Sequence, residues 1–337
     1  MAGRVTLADV SKAAGVGIAT VSRALAPTEH PDVSVETRLR VRSVADELGY
    51  RPSASARALR AGNYHALSVI LPDATWAWYE PAIRAAFRTA TMEGYQLLVH
   101  PIAGLPGGAA EVIDGLVNVA TDGVLLIGAS ADQSVLDAAG KLRLPLASID
   151  DATTDPIMAT VAPNNFEGGR DATAHLIERG CRRIAILTGW EQWVFAKDRI
   201  AGYRSALEDA GLEYDEMLVL SAGDAEDETV LSWPELDSLI ASGVPFDGLF
   251  CIADRIAAGA LRSLSRAGLS VPSDVKVIGF DDERVAQLLN PPLTTIRQQY
   301  EEMGEQAVRA LIAQVAGQKL PAVRREFPNT LVVRHSS

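Results

Sequence analysis

The chain has 337 residues, 48% of them hydrophobic, and a formal net charge of −12. That length accommodates two to three domains, and the apolar fraction excludes an intrinsically disordered protein. The overall acidity argues against a nucleic-acid binder, but residues 1–62 carry nine Lys/Arg against six Asp/Glu, a balance of +3 that leaves −15 for the remainder.

A basic head on an acidic body fits a DNA reader joined to a separate module. Within the head, Thr6–Leu25 (TLADVSKAAGVGIATVSRAL) reads as two short helices around a tight corner at Gly15-Val16-Gly17. Leu7, Val10 and Ala14 share one helical face, and Val21, Ser22 and Leu25 mark the second helix. Thr6 is placed to cap the first helix, with Asp9 in its first turn. Two helices around such a corner form either a helix-turn-helix or an Ala-rich hairpin of an ordinary core. Its position at the start of the chain, ahead of a basic segment, favours the former. In that unit the second helix enters the major groove with its first residues at the base edges. Ser34 then caps a third helix running to about Leu48 and stopped by Gly49. Val35, Leu39, Val44, Ala45 and Leu48, with Val41 or Arg42, give it an apolar stripe that closes a three-helix core. Arg38, Arg40 and Arg42 read as a solvated face. Residues 51–62, rich in small residues and arginine, suit either a helix that orders on DNA and wedges the minor groove or a plain linker.

TLADVSKAAGVGIATVSRAL, SVETRLRVRSVADELGYRPSASARAL and the downstream VIGFDD and PPLTTIRQ make the chain resemble the LacI/GalR family of bacterial transcription regulators, essentially end to end. The resemblance implies a homodimer on a palindromic operator, a hinge helix in the minor groove, and a small-molecule effector that changes DNA affinity. The implied DNA-contacting set is Thr6, Gly17, Ile18, Ala19, Thr20, Ser22, Arg23, Ser53, Ala56, Arg57 and Leu59, with Ile18, Ala19 and Arg23 reading bases and Leu59 as the wedge. The family usually has serine where Gly17 stands, often polar residues where Ile18 and Ala19 stand, and often asparagine where Ala26 stands. An apolar pair favours thymine methyls over hydrogen-bond readout.

From Leu67 onward, apolar strand-like runs alternate with amphipathic helices. Strands are expected at Leu67–Leu71, Gln96–His100, Gly123–Ile127 and Leu146–Asp150, and again near Arg183–Leu187, Met217–Leu220, Gly248–Ile252 and Lys276–Phe280. Two successive βαβ series imply an α/β body of two doubly wound parallel-sheet lobes, with ligands off the carboxyl ends of the strands. No GxGxxG follows the first strand, which argues against a dinucleotide site. The resemblance implies a periplasmic-binding-protein-like body crossed three times, near 162, 291 and 325. The expected organisation is therefore a helix-turn-helix domain (1–50), a hinge (51–62) and an effector-binding and dimerisation domain (63–337). Its first lobe comprises about 63–162 and 292–325, its second about 163–291 and 326–337.

All five tryptophans (Trp76, Trp78, Trp190, Trp193 and Trp233) fall in or beside expected strand-to-helix loops, so they are candidates either to line a ligand cleft or to pack the surface. Aromatic faces suit sugar rings or planar heterocycles, with polar neighbours setting orientation. Those neighbours are Asp73, Asn164, Asn165, Arg199, Asp254 and Asp281. By resemblance, Arg199 and Asp281 match effector-binding positions, and Asp73, Trp78, Tyr79 and Asn165 lie in segments lining the cleft. With Trp193 and Trp233 these form the expected effector site. The family usually has asparagine where Ala253 stands, so one expected polar contact is missing.

No catalytic constellation, cofactor motif or metal-ligand spacing accompanies these residues. Cys181 and Cys251, far apart in apolar runs, read as free thiols in a reducing cytoplasm. No signal peptide or membrane span is expected. The resulting expectation is a cytoplasmic, homodimeric transcription regulator, a repressor, controlled by a small effector such as a sugar. The alternative is a solute-binding protein for sugar transport, which shares the body fold but has no use for residues 1–62.

Overall fold

A computed structural model describes residues 5–26, 30–51, 63–72, 79–102, 104–128, 132–149, 157–191, 193–223 and 233–337. The chain divides into two compact units, Met1–His65 and Ala66–Ser337.

The first unit is built on α1 (Leu7–Ala14), α2 (Ile18–Ala24) and α3 (Val35–Glu47). Thr6 closes a capping box with Asp9 over α1, satisfying donors that the first helical turn leaves open. Gly15 takes a left-handed φ of 65° at the corner, a conformation costly for other residues. Ser11 Oγ fastens the corner by donating to Val16 O at 2.6 Å. Val10, Ala14, Val21, Ala24, Val33, Val41, Ala45 and Tyr50 form the core. Of the stripe expected on α3, Val41, Val44 and Ala45 face this core, but Val35, Leu39 and Leu48 do not. Val35 and Leu39 are 69% and 63% exposed, while Arg38 is 7% exposed and donates to His30 O at 3.3 Å. Arg38 is therefore not part of a solvated face. The burial of its aliphatic stem beside Val41 sets the helix rotation, which charge alone conceals.

The second unit contains two six-stranded sheets, ordered β11-β5-β4-β3-β1-β2 and β12-β10-β9-β8-β6-β7. Strands β1 to β5 are Ala66–Leu71, Gln96–Pro101, Gly123–Ile127, Leu146–Ile149 and Ala159–Pro163. Strands β6 to β9 are Ile184–Thr188, Val219–Ser221, Gly248–Cys251 and Lys276–Asp281. The last three are β10 (Thr294–Arg297), β11 (Arg324–Phe327) and β12 (Thr330–Val332). The β10–β12 pair is antiparallel and the other described pairs are parallel. Burial on both faces explains the continuous apolar runs: Leu67, Val69 and Leu71 pack with Ile83 and Met303, while Ile70, Val124 and Leu126 pack with Ile113 and Val135.

The lobe boundaries differ from expectation at one point. β10 pairs with β9 in the second sheet, so the second crossing comes at residues 298–299, not near 291. The others lie at 164 and at 328–329, between β5 and the helix Asn165–Glu178 and between β11 and β12. The three run side by side. Asn329 Nδ2 donates to Asn164 O at 2.6 Å, the Asn164 amide donates to Phe327 O at 3.0 Å, and Gln299 Nε2 donates to Thr330 Oγ1 at 3.1 Å.

Candidate DNA-reading helix and effector site

In the first unit, α2 presents the residues expected at base edges. Gly17 is its N-cap and contributes no side-chain bond, Ile18 is 51% exposed, and Ala19 and Arg23 are exposed. Thr20 and Ser22 are half-buried at its flank. The Arg23 guanidinium lies 3.9 Å from the Asp32 carboxylate, an exposed pair whose attraction is weak enough for a phosphate or guanine to replace it. Thr6 is occupied as a cap, and its hydroxyl holds the Asp9 carboxyl below its usual range. Ser53, Ala56, Arg57 and Leu59 lie outside the described residues, as do Asp73, Trp76 and Trp78.

In the second unit the expected polar residues converge off the carboxyl ends of the second sheet. The helices α7 (Asn165–Glu178) and α8 (Val194–Asp209) approach with backbone against backbone: a Cβ added to Gly169 would lie 2.3 Å from Arg199 O, and one on Gly202 would lie 2.1 Å from Phe166 O. That approach brings Arg199 beneath the start of α7. Its Nε donates to Asn165 Oδ1 at 2.9 Å and its Nη1 to Ile252 O at 2.6 Å. The guanidinium stacks on Phe280, 3.6 Å from the ring centroid, with Phe195 at 5.1 Å. Nη2 stands 3.6 Å from Asp281 Oδ1, an atom that also accepts from Gln298 Nε2 and, at 3.3 Å, from the Tyr300 hydroxyl.

Asp281 and Asp282 end β9 with φ angles of 108° and 54°, backbone that L-residues adopt only under constraint. The constraint is visible: the Asp282 carboxylate accepts from Arg297 Nε at 2.7 Å and from Arg334 Nη2 at 2.5 Å. Burial pushes the Asp281 carboxyl up, opposed by the charge of Arg199, the Gln298 bond, the charge of Arg255 and the Tyr300 bond. Asp254 is fully buried and has a structural part. It accepts from the Glu283 amide at 2.8 Å and Thr295 Oγ1 at 2.6 Å, and burial followed by the charge of Asp281 raises it well above the usual carboxylate range. Ala253, where the resemblance leads one to expect asparagine, is buried and caps the helix α10 (Asp254–Arg266) without a side-chain bond.

Two aromatic positions of the expected site are buried within lobe cores. Trp233 is in the second lobe's core: its Nε1 donates to Ile256 O at 2.8 Å and its ring lies on Gly259, where a Cβ would be 2.5 Å from that nitrogen. Tyr79 is buried in the first lobe's core. Trp190 is also a core residue, with the Arg255 guanidinium 4.4 Å above its ring. Trp193 stays half-buried at the start of α8. These loops dip into the lobe, so a tryptophan outside a regular element still fills the interior. Gln298, Tyr300 and Phe280 were not singled out from sequence. The signal available was the polar pair Gln298-Gln299 directly after a β-branched strand. Among the described residues, no group of three His, Cys, Asp or Glu side chains could hold a metal ion. No helix there is long and apolar enough to cross a membrane.

Residues 6–53 match the family model described as "Bacterial regulatory proteins, lacI family", and residues 173–337 match "Periplasmic binding protein-like domain". The chain is 30% identical over 333 residues to the HTH-type transcriptional repressor PurR of Actinobacillus pleuropneumoniae serotype 3 (strain JL03), covering 98% of each chain. The chain belongs to the lacI family. As a lacI-family protein it is a helix-turn-helix transcription regulator, not an enzyme or a free-standing solute-binding protein. Two solved structures place its architecture within that family. The lac repressor dimer bound to operator and the anti-inducer ONPF has a TM-score of 0.85 at 25% identity, covering 99% of each chain. The transcriptional regulator CelR–cellobiose complex has a TM-score of 0.72 at 30% identity, covering 99% of this chain and 100% of that one.

Proposed function

We propose that this regulator is a cytoplasmic repressor that binds a palindromic operator as a homodimer and changes its operator affinity when a small polar effector, a sugar, occupies the cleft between the lobes. The carrying observation is that one chain joins a helix presenting Ile18, Ala19 and Arg23 to a body in which Asn165, Arg199 and Asp281 form one buried polar cluster. Ile18 and Ala19 give an operator in which thymine methyls carry much of the readout, with Arg23 on guanine or phosphate. Gly17, Thr20, Ser22 and Thr6 contact the backbone, and Ser53, Ala56, Arg57 and the wedge Leu59 engage the minor groove. Arg199 and Asp281 bind effector hydroxyls, with Asn165 fixing the guanidinium and Trp193, Asp73 and Trp78 lining the cleft. Two solved relatives, one a complex with cellobiose and one a dimer bound to operator, support the sugar and the dimer. A sheet edge supports the dimer further: among the described residues β2 is the last strand of its sheet, and Leu98 on it is half-exposed.

A mobility shift on DNA upstream of the protein's own gene, with and without a sugar panel that includes cellobiose, tests the reading. A retarded dimer complex released or tightened by one sugar is expected. A monomer that ignores such fragments at low ionic strength would overturn it.

A further inference from the structure

The two partners of one hydrogen bond belong to different lobes. Asp281 ends a central strand of the second sheet, whereas Tyr300 opens the helix α12 (Tyr300–Val315) and is buried in the first lobe's core with Met303 and Leu311. The phenol nonetheless donates to Asp281 Oδ1 at 3.3 Å. Gln298, in the crossing between them, donates to the same oxygen through Nε2, and Arg199 Nη2 stands 3.6 Å away. Donors from both lobes and from the connecting strip therefore meet on one carboxylate oxygen.

We infer that the Tyr300–Asp281 hydrogen bond ties the two lobes together, and that an effector hydroxyl reaching Asp281 takes the place of the phenol. The second half of this inference rests on the reading of Asp281 as an effector residue. A carboxylate oxygen offers about two lone-pair sites, and three donors already surround this one. A further donor on Oδ1 must displace one of them, whereas a hydroxyl that stops at Oδ2 leaves all three in place. Arg199 is held by Asn165 and Ile252, and Gln298 is 3% exposed in the crossing itself. Tyr300 makes the longest of the two hydrogen bonds, and its release is the one that separates lobe from lobe. The effector then favours the arrangement in which the tie is open, which supplies the differential affinity that any ligand-driven shift requires. Tyr300 is thus a positioning residue for the lobes.

The test uses full-length protein carrying Tyr300→Phe, Asp281→Ala, or both. Phenylalanine keeps the buried ring and removes only the donor. In a thermal-denaturation cycle the double variant should lose less Tm than the sum of the two single losses, because the bond they share is lost only once. Exchange of the Asn164 amide, which bonds Phe327 O between the first and third crossings, should quicken roughly fivefold in Tyr300→Phe. The Val124 amide, bonded to Pro145 O inside the first lobe, should not change. Additive Tm losses or unaltered Asn164 exchange would overturn the tie, and ring packing alone would not move Asn164. Cellobiose and the other panel sugars form the second arm: one that shifts the parent should bind Tyr300→Phe more tightly, again roughly fivefold. Equal or weaker binding overturns the displacement. A panel that shifts nothing counts against the effector reading, while the cycle still decides the tie.

Discussion

At the scale of single residues, the buried polar cluster behaves differently from a surface ligand site. Arg199 is 3% exposed and anchors Asn165, Ile252 and Asp281 together. Sequence reasoning alone predicts that Arg199→Ala abolishes effector response and leaves operator binding intact. The structure adds a stability loss of about 3–5 kcal/mol, since removing one partner of a buried pair strands the other. Chemical denaturation should show that loss, and Arg199→Lys should recover part of it. Asp254 gives a pH-dependent prediction. Its unfolded-state value is the ordinary 3.8 and its folded-state value lies well above that. Between the two the native state holds the extra proton, so this group's contribution is complete below the unfolded value and is lost as pH rises through the folded one. Asp254→Asn stays neutral throughout. The difference between the variant's Tm and the parent's is therefore expected to move in the variant's favour as pH rises and to reverse on acidification, in thermal scans across pH.

At the scale of elements, the helix pair α7–α8 is set by two glycines whose missing Cβ atoms let backbones touch. Gly169→Ala or Gly202→Ala should cost at least about 1–3 kcal/mol through overpacking, read as a Tm drop of several degrees. Effector response should fall with it, because the same approach seats Arg199. The βαβ alternation was legible because parallel strands buried on both faces leave unbroken apolar runs such as Gly123–Ile127. The short strands β5, β10, β11 and β12 were not assigned from sequence. β5, β10 and β11 carry Pro163, Arg297 and Arg324–Arg325, β12 is only three residues long, and pairing with other parts of the chain makes them strands. Phase was the weak point in the head, where Arg38 turned inward and Val35 outward. The site was half legible: Arg199, Asn165 and Asp281 do meet, but Trp233 and Tyr79 pack cores, and Gln298 and Tyr300 reach the cluster through a crossing that periodicity cannot reveal.

At the scale of the whole molecule, the charge asymmetry predicts operator affinity that falls steeply and log-linearly with salt, measurable by titration at several ionic strengths. Leu59→Ala is expected to weaken specific binding while sparing non-specific binding; equal losses would remove the wedge from the mechanism. The three crossings have a further consequence. The second sheet needs β10 and β12, and the first sheet needs β11, so neither lobe is finished until residues 324–332 are present. On the ribosome, both halves of the body must therefore wait, each missing an edge, until residues 324–332 have emerged. A premature stop anywhere between β9 and β11 would damage them both at once, and no fragment cut between them would be a self-sufficient folding unit.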